Sequence, residues 1–341
     1  MDASRRPLRA LTIAIASLAV ALAACTAGTA PTSEPTVAPT ATIAATVAPT
    51  APPDPTAEAD FPLSLTDDEG TTVDIAAEPQ RIVSLTPATT EILFAIGAGE
   101  RVVATTDFDD YPPEAVDLPD VASFTAVDVE KIIGLEADLV IAGGNNFNDP
   151  EAIGRLRSLG VPVVVTYAPD IDGVLHDIDL VGTAVGLADA AGDLRAAMQA
   201  EFDQVGAATA GLDRPRVFYE LDATSEIYTA ADDSFIEQMI ELAGGDPITT
   251  GSPTSFSISL ERLIDADPEL ILLGDAAYGV TADLVKARPG WGVMSAVRED
   301  RIVAVDDIVI TRPGPRLVEG LRQLAGAIHP GVALPSLEPV P

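Results

Sequence analysis

The chain has 341 residues, 47% of them apolar, which is room for two domains with cores of their own. Against 19 Lys and Arg stand 53 Asp and Glu, a formal charge of -34. That balance excludes nucleic acid as a partner, because nothing would neutralise its phosphates. A single cysteine excludes an intrachain disulfide, and two histidines, His176 and His329, are too few for a zinc or manganese site of the usual His-rich kind.

Residues 1–25 carry Arg5, Arg6 and Arg9, then an apolar run from Leu11, then small residues before Cys25. This is the pattern of a secretory signal. Leu22-Ala23-Ala24-Cys25 resembles a bacterial lipobox, which makes Cys25 the lipidation site and a lipid the only membrane attachment. Residues 26–60 are mostly Thr, Ala and Pro. Such a stretch cannot bury enough surface to fold and is expected to be an extended stalk.

Residues 61–170 form the expected first lobe. Alternation around Asp67-Asp68-Glu69-Gly70 predicts a hairpin. Ile82 to Leu85 is a short strand, followed by Thr86 as N-cap and Pro87 at the first helical position. Further strands are expected at 101–105, 139–142 and 161–165, with helices at 127–135 and 150–159. Residues 171–212 connect the lobes. A helical piece from Val174 to Val185 stops at Gly186, and a helix of about twenty residues follows from Asp189. Its apolar residues Ala191, Leu194, Met198, Phe202 and Val205 fall at helical spacing, the stripe of a spine between two blocks. Residues 213–330 are the second lobe. Strands are expected at 216–220, 270–273 and 301–305, and 227–230 reads as a hairpin or bulge partner of the first of these. Residues 331–341 are a tail.

Two stretches 131 residues apart match in pattern. Val127-Asp-Val-Glu130-Lys runs through a helix into Leu139-Val-Ile-Ala-Gly143, and Ile258-Ser-Leu-Glu261-Arg runs through a helix into Leu270-Ile-Leu-Leu-Gly274. The fold expected is therefore α/β, two lobes with mostly parallel central sheets joined by one long helix, and a ligand cleft between them.

These motifs together with Asp110-Tyr-Pro-Pro-Glu-Ala115, Glu241-Leu-Ala-Gly-Gly245 and Arg312-Pro-Gly-Pro-Arg316 resemble the bacterial ABC-importer solute-binding proteins for cobalamin, ferric siderophores and haem. The resemblance covers about residues 61–330. It implies a monomeric lipoprotein outside the cytoplasm that captures a metal chelate and delivers it to a permease and ATPase. It also implies that Glu130 and Glu261, one acid per lobe, dock onto permease arginines. No separate cofactor is implied, since the ligand itself carries cobalt or iron.

Loops at strand ends are expected to line the cleft. The first lobe offers Thr86, Phe108, Tyr111, Phe124, Asn145, Asn146 and Phe147; the second offers Tyr228, Phe256, Tyr278, Asp307, Arg312 and Arg316. Aromatic rings suit a macrocycle, and arginines suit propionates, phosphate or an anionic chelate. Arg316 is equally placed for a structural salt bridge. Tyr111, Tyr228 or Tyr278 would serve as a haem axial ligand. Cobalamin is favoured, with ferric siderophore and haem close behind. No Gly-x-Ser-x-Gly elbow and no metal triad support an enzyme. A hydrolase or a structural surface protein is the alternative.

Overall fold

A computed structural model describes residues 61–123 and 126–336, all within one unit, Asp54–Pro341. The leader, the stalk, Cys25 and Phe124 lie outside the described residues.

The first lobe opens on a hairpin, β1 (Leu63–Thr66) and β2 (Thr72–Ile75). Its turn is fixed by Asp67, whose Oδ1 accepts the N–H groups of Glu69 and Thr71 at 3.1 and 2.8 Å. In chain order there follow β3 (Ile82–Ser84), α1 (Pro87–Ala95), β4 (Val102–Thr106), α2 (Pro113–Val116) and β5 (Asp120–Ser123). Then come β6 (Ala126–Val127), α3 (Val129–Gly134), β7 (Leu139–Gly143), α4 (Pro150–Ser158) and β8 (Val163–Thr166). The six strands lie in the order β6-β5-β4-β3-β7-β8, parallel except for the last pair formed by β5 and β6. Strands β3, β7 and β8 are buried along their whole length, as a parallel sheet covered on both faces requires. The expected helix at 127–135 starts two residues late, because Val127 still pairs with Ala122 and Asp128 caps the helix through the N–H of Lys131.

Two helices carry the chain across, α5 (Ile171–Ala184) and α6 (Ala188–Thr209). Every member of the apolar stripe on α6 is buried, none more than 2% exposed. The helices meet closely at Gly182, where a Cβ would stand 2.2 Å from that of Ala191. The long helix α6 that joins the lobes is thus packed along the helix α5 that precedes it.

The second lobe holds β9 (Arg216–Glu220), β10 (Ile227–Tyr228), α7 (Phe235–Leu242), β11 (Asp246–Pro247), β12 (Ser257–Ile258) and α8 (Leu260–Ala266). These are followed by β13 (Leu270–Leu273), α9 (Ala282–Lys286), α10 (Ser295–Arg298), β14 (Ile302–Ala304), α11 (Asp307–Thr311) and α12 (Leu317–Ile328). Its sheet, β11-β9-β13-β14, is parallel throughout. The stretch at 227–230 does not pair with β9 as a strand. Both sides of β9 are taken by β11 and β13, so β10 pairs with β12 and meets the chain beyond β9 only at an Asp222–Tyr228 bridge.

The two sequence copies fold alike. Asp128 caps α3 and Ser259 caps α8 with side-chain hydrogen bonds, and β7 and β13 each pair in parallel with the opening strand of the main sheet in their lobe. One apolar core runs through both lobes, from Ile82, Ile92 and Leu139 through the α5–α6 pair to Tyr219, Leu272 and Leu317.

Candidate functional site

A cavity of about 630 Å³ lies where the carboxyl ends of the first lobe's strands face the second lobe. On one side it is lined by residues 86–89 and Ile92 of α1 and its cap, Phe108, Gly143 to Phe147, and Thr166 to Ala168. The other side is made by Phe235, Tyr278, Thr311, Arg312 and Pro313, and Asp177 joins from α5.

Local geometry explains why these residues converge. Thr86 Oγ1 accepts the N–H of Thr89 at 3.1 Å, which starts α1 with its N-terminus on the cavity. The hydroxyls of Ser84, Thr86, Thr89 and Thr90 bond among themselves, so the Thr86 hydroxyl is already engaged. After β7 the chain turns through Asn145 and Asn146, both left-handed (φ 53° and 62°), a conformation asparagine tolerates. Asn148 holds that turn shut: its Oδ1 accepts the N–H of Gly143 at 2.7 Å and its Nδ2 donates to the Leu85 carbonyl at 3.2 Å. Gly143 is required by closeness, since a Cβ would stand 2.8 Å from the Thr86 methyl and 2.9 Å from the Phe147 ring. Phe147 meets Phe108 edge to face, centroids 6.4 Å apart. Tyr278 (82% exposed), Phe147 and Tyr167 leave apolar surface open to solvent beside the cavity.

The arginines are bound across the lobes. Arg312 forms a fork onto Asp110 and lies 3.5 Å from Glu91, and its Nη2 donates to the Phe108 carbonyl at 3.3 Å. Arg316 donates to Glu91 at 2.6 Å, with its guanidinium 4.3 Å above the Tyr111 ring. Glu91 is 2% exposed, so two cations of the second lobe close on one buried acid of the first. Arg312 reaches the cavity, but as a neutralised cation. Arg316 takes the structural role and Tyr111 stacks beneath it, both outside the cavity wall.

Three more expected residues also stand outside the cavity. Tyr228 lies on the β10–β12 ribbon with its hydroxyl 3.3 Å from Glu226, and Phe256 is half-exposed just before β12. Asp307 Oδ1 accepts the Tyr219 hydroxyl at 2.7 Å and serves the second lobe's interior. Thr86, Phe108, Asn145, Asn146, Phe147, Tyr278 and Arg312 do line the cavity.

Asp177 lines the cavity without having been among the expected residues. It sits on the apolar phase of α5, three residues from Val174 and four from Val181, where an acid is out of place. It is 4% exposed, and burial together with the neighbouring Asp68 pushes its carboxyl up to about 9. No group of three or more His, Cys, Asp or Glu side chains suited to a metal ion occurs among the described residues. His176 pairs with Asp68 at 3.3 Å, and His329 bonds the Gly244 carbonyl at 3.1 Å.

Residues 82–309 match the family described as periplasmic binding protein, two thirds of the chain. The chain belongs to that family. It is accordingly a substrate-binding protein. A Bacillus subtilis protein named as an uncharacterised ABC transporter substrate-binding lipoprotein, YvrC, is 33% identical over 275 residues, covering 79% of this chain and 86% of its own. A cobalamin-binding protein of Halobacterium salinarum is 31% identical over 293 residues, covering 82% and 78%. The apo structure of the periplasmic haem-binding protein RhuT from Roseiflexus sp. RS-1 superposes with a TM-score of 0.65 at 30% identity, covering 73% of this chain and 97% of that one. The hydrolase and structural alternatives find no support in these likenesses. Among the described residues no helix is long and apolar enough to cross a membrane.

Proposed function

We propose that this periplasmic binding protein captures a corrinoid in the cavity between its lobes and delivers it to an ABC permease. The observation that carries the ligand class is the charge state of the cavity. Its polar groups are uncharged Thr, Asn and Tyr side chains, a buried acid at Asp177, and an Arg312 already neutralised by Asp110 and Glu91. Haem propionates and anionic ferric chelates call for an unengaged cation, ideally a bidentate arginine. A corrin ring is fringed with neutral amides, which match hydroxyl and carboxamide partners. Phe108, Phe147 and Tyr278 supply flat apolar area for the macrocycle. The likeness to the Halobacterium cobalamin-binding protein supports the same reading. Haem is the second reading, favoured by the exposed Tyr278 as an axial oxygen ligand and by the likeness to RhuT.

The rest of the transport role follows the same way. Cys25 anchors the protein by a lipid outside the cytoplasm, and residues 26–60 hold the body away from the membrane. The protein acts as a monomer, catalyses nothing and needs no cofactor beyond the metal its ligand brings. Glu130 and Glu261 dock onto the permease. They occupy equivalent exposed positions at the starts of α3 and α8, and Glu130 meets the exposed Arg155 at 3.6 Å.

A thermal-shift screen of the body from Asp60 onward tests the ligand. At a hundred times its dissociation constant a ligand adds about 2.7 kcal/mol, visible as a rise of several degrees. The expected result is a rise with cyanocobalamin, aquocobalamin and cobinamide and none with haem or ferric citrate. A rise with haem alone would replace the corrinoid reading with the second one.

A further inference from the structure

Arg312 stands in the cavity wall, and its partners come from the opposite lobe. Its Nη1 and Nη2 fork onto the carboxylate of Asp110, a few residues beyond the end of β4, and Nη2 also donates to the Phe108 carbonyl at 3.3 Å. A two-pronged contact of this kind is how an arginine receives a ligand carboxylate. Asp110 occupies the place such a ligand group would take.

The charges balance only while Asp110 is present. Glu91 and Asp110 face Arg312 and Arg316, two acids against two bases. Glu91 lies 2.6 Å from Arg316 and 3.5 Å from Arg312, so its nearer cation is Arg316. Losing Asp110 would therefore leave Arg312, the arginine at the cavity, short of a counter-charge. Asp109 and Asp307 also stand near Arg312, but each takes hydrogen bonds within its own lobe. Asp109 Oδ2 accepts the N–H of Thr106 at 2.8 Å, and Asp307 Oδ1 accepts the Tyr219 hydroxyl at 2.7 Å. Asp110 differs from buried Glu91 in exposure, with 50% of its side chain open to water. An acid so placed adds little to packing; what it does is occupy Arg312.

We propose that Asp110 is a specificity-determining residue: it satisfies Arg312 from within the protein and so reserves the cavity for ligands whose side groups near Arg312 are uncharged. A ligand carboxylate would have to lie beside Asp110, acid against acid, or displace it from the fork. With Asp110 removed, Arg312 becomes a cation able to receive that carboxylate. This rests on the cavity being the ligand site, and not on the macrocycle being a corrin.

The test compares amide and acid forms of the same ring, cobinamide against cobyrinic acid and haem bis-propionamide against haem, on the full chain without its leader. Dissociation constants are measured in about 0.5 M salt, which screens long-range repulsion from the acidic surface. The wild type should bind the amide form of its ring at least about tenfold tighter than the acid form. Asp110→Ala and Asp110→Asn should each move that ratio towards the acid form by about tenfold or more. Asp110→Glu should keep it, because a carboxylate one methylene longer still reaches the guanidinium. Made in an Arg312→Ala background, Asp110→Ala should move the ratio by less than about twofold, since no cation is then released. An Asp110 that served the fold alone would weaken both forms by the same factor, so a ratio unmoved by Asp110→Ala and Asp110→Asn overturns the proposal. A shift that persists undiminished in Arg312→Ala is an effect of net charge and also overturns it. Corrinoids bound with an unmoved ratio overturn it and leave the corrinoid reading standing. A haem pair whose ratio moves as described sustains it while sinking the corrinoid reading. Binding of none of the four, by wild type or variant, overturns both.

Discussion

A buried carboxyl such as Asp177 ties stability to pH. In the unfolded chain it titrates near 3.8; folded, it holds its proton to about 9. Between those values the unfolded state binds fewer protons than the folded one, so stability is full below about pH 4 and is lost as pH rises towards 9. The slope from this one group can reach about 1.4 kcal/mol per pH unit. Asp177→Asn keeps the hydrogen bonds and removes the titration. Its melting temperature should therefore exceed that of the wild type, by a margin that is larger at pH 8 than at pH 5. Equal margins at the two pH values, read by calorimetry, would show that the folded carboxyl is already ionised. Glu91 differs: it is just as buried, but two arginines sit against it, and it holds the lobes together.

Between elements, the α5–α6 contact packs together the two helices that carry the chain from one lobe to the other. Ridges of the two helices approach so closely that only hydrogen fits at Gly182. Alanine there would gain up to about 1 kcal/mol of helix propensity, yet its methyl group would stand 2.2 Å from that of Ala191. Overpacking of this kind costs about 1–3 kcal/mol, so the clash wins. Gly182→Ala should lower the melting temperature by a few degrees, whereas the same change at Gly192, on the same pair but with nothing within 4 Å of its added Cβ, should not. Further along α6, Glu201 (3% exposed) meets Arg322 of α12 at 3.0 Å, which fastens the spine to the second lobe. The cavity is thus framed by packed helices behind and by the Arg312–Arg316 clamp at its side.

For the whole molecule, the two lobes share one core, and the repeated α3–β7 and α8–β13 units put one acid at matching places on each half. A permease with two-fold symmetry would meet both. Changing Glu130 and Glu261 to Lys together should leave the ligand dissociation constant unchanged and abolish uptake in cells; persistent uptake would remove both from the docking surface. The sequence by itself determined the elements and their duplication. Helical spacing on α6, the Thr86–Pro87 start of α1 and the apolar runs of β7 and β13 are local patterns, set by backbone geometry and the burial of one face, and they need no knowledge of distant partners. It also determined that the strand-end loops carry Phe108, Asn145, Asn146 and Phe147, because strand–turn–helix order puts such loops at one edge of a parallel sheet. Only the tertiary structure decided which charges are free. Arg312 reads as a ligand contact, and Arg316 equally as a ligand contact or a structural salt bridge, until Glu91 and Asp110, some two hundred residues away in sequence, are seen to neutralise them. Tyr228 and Phe256 stand on or beside the β10–β12 ribbon and outside the cavity wall, and Asp177 entered it because α5 turns that face inward. Pairing and burial depend on long-range contacts, and a charge acquires its energy from what surrounds it rather than from its place in the chain.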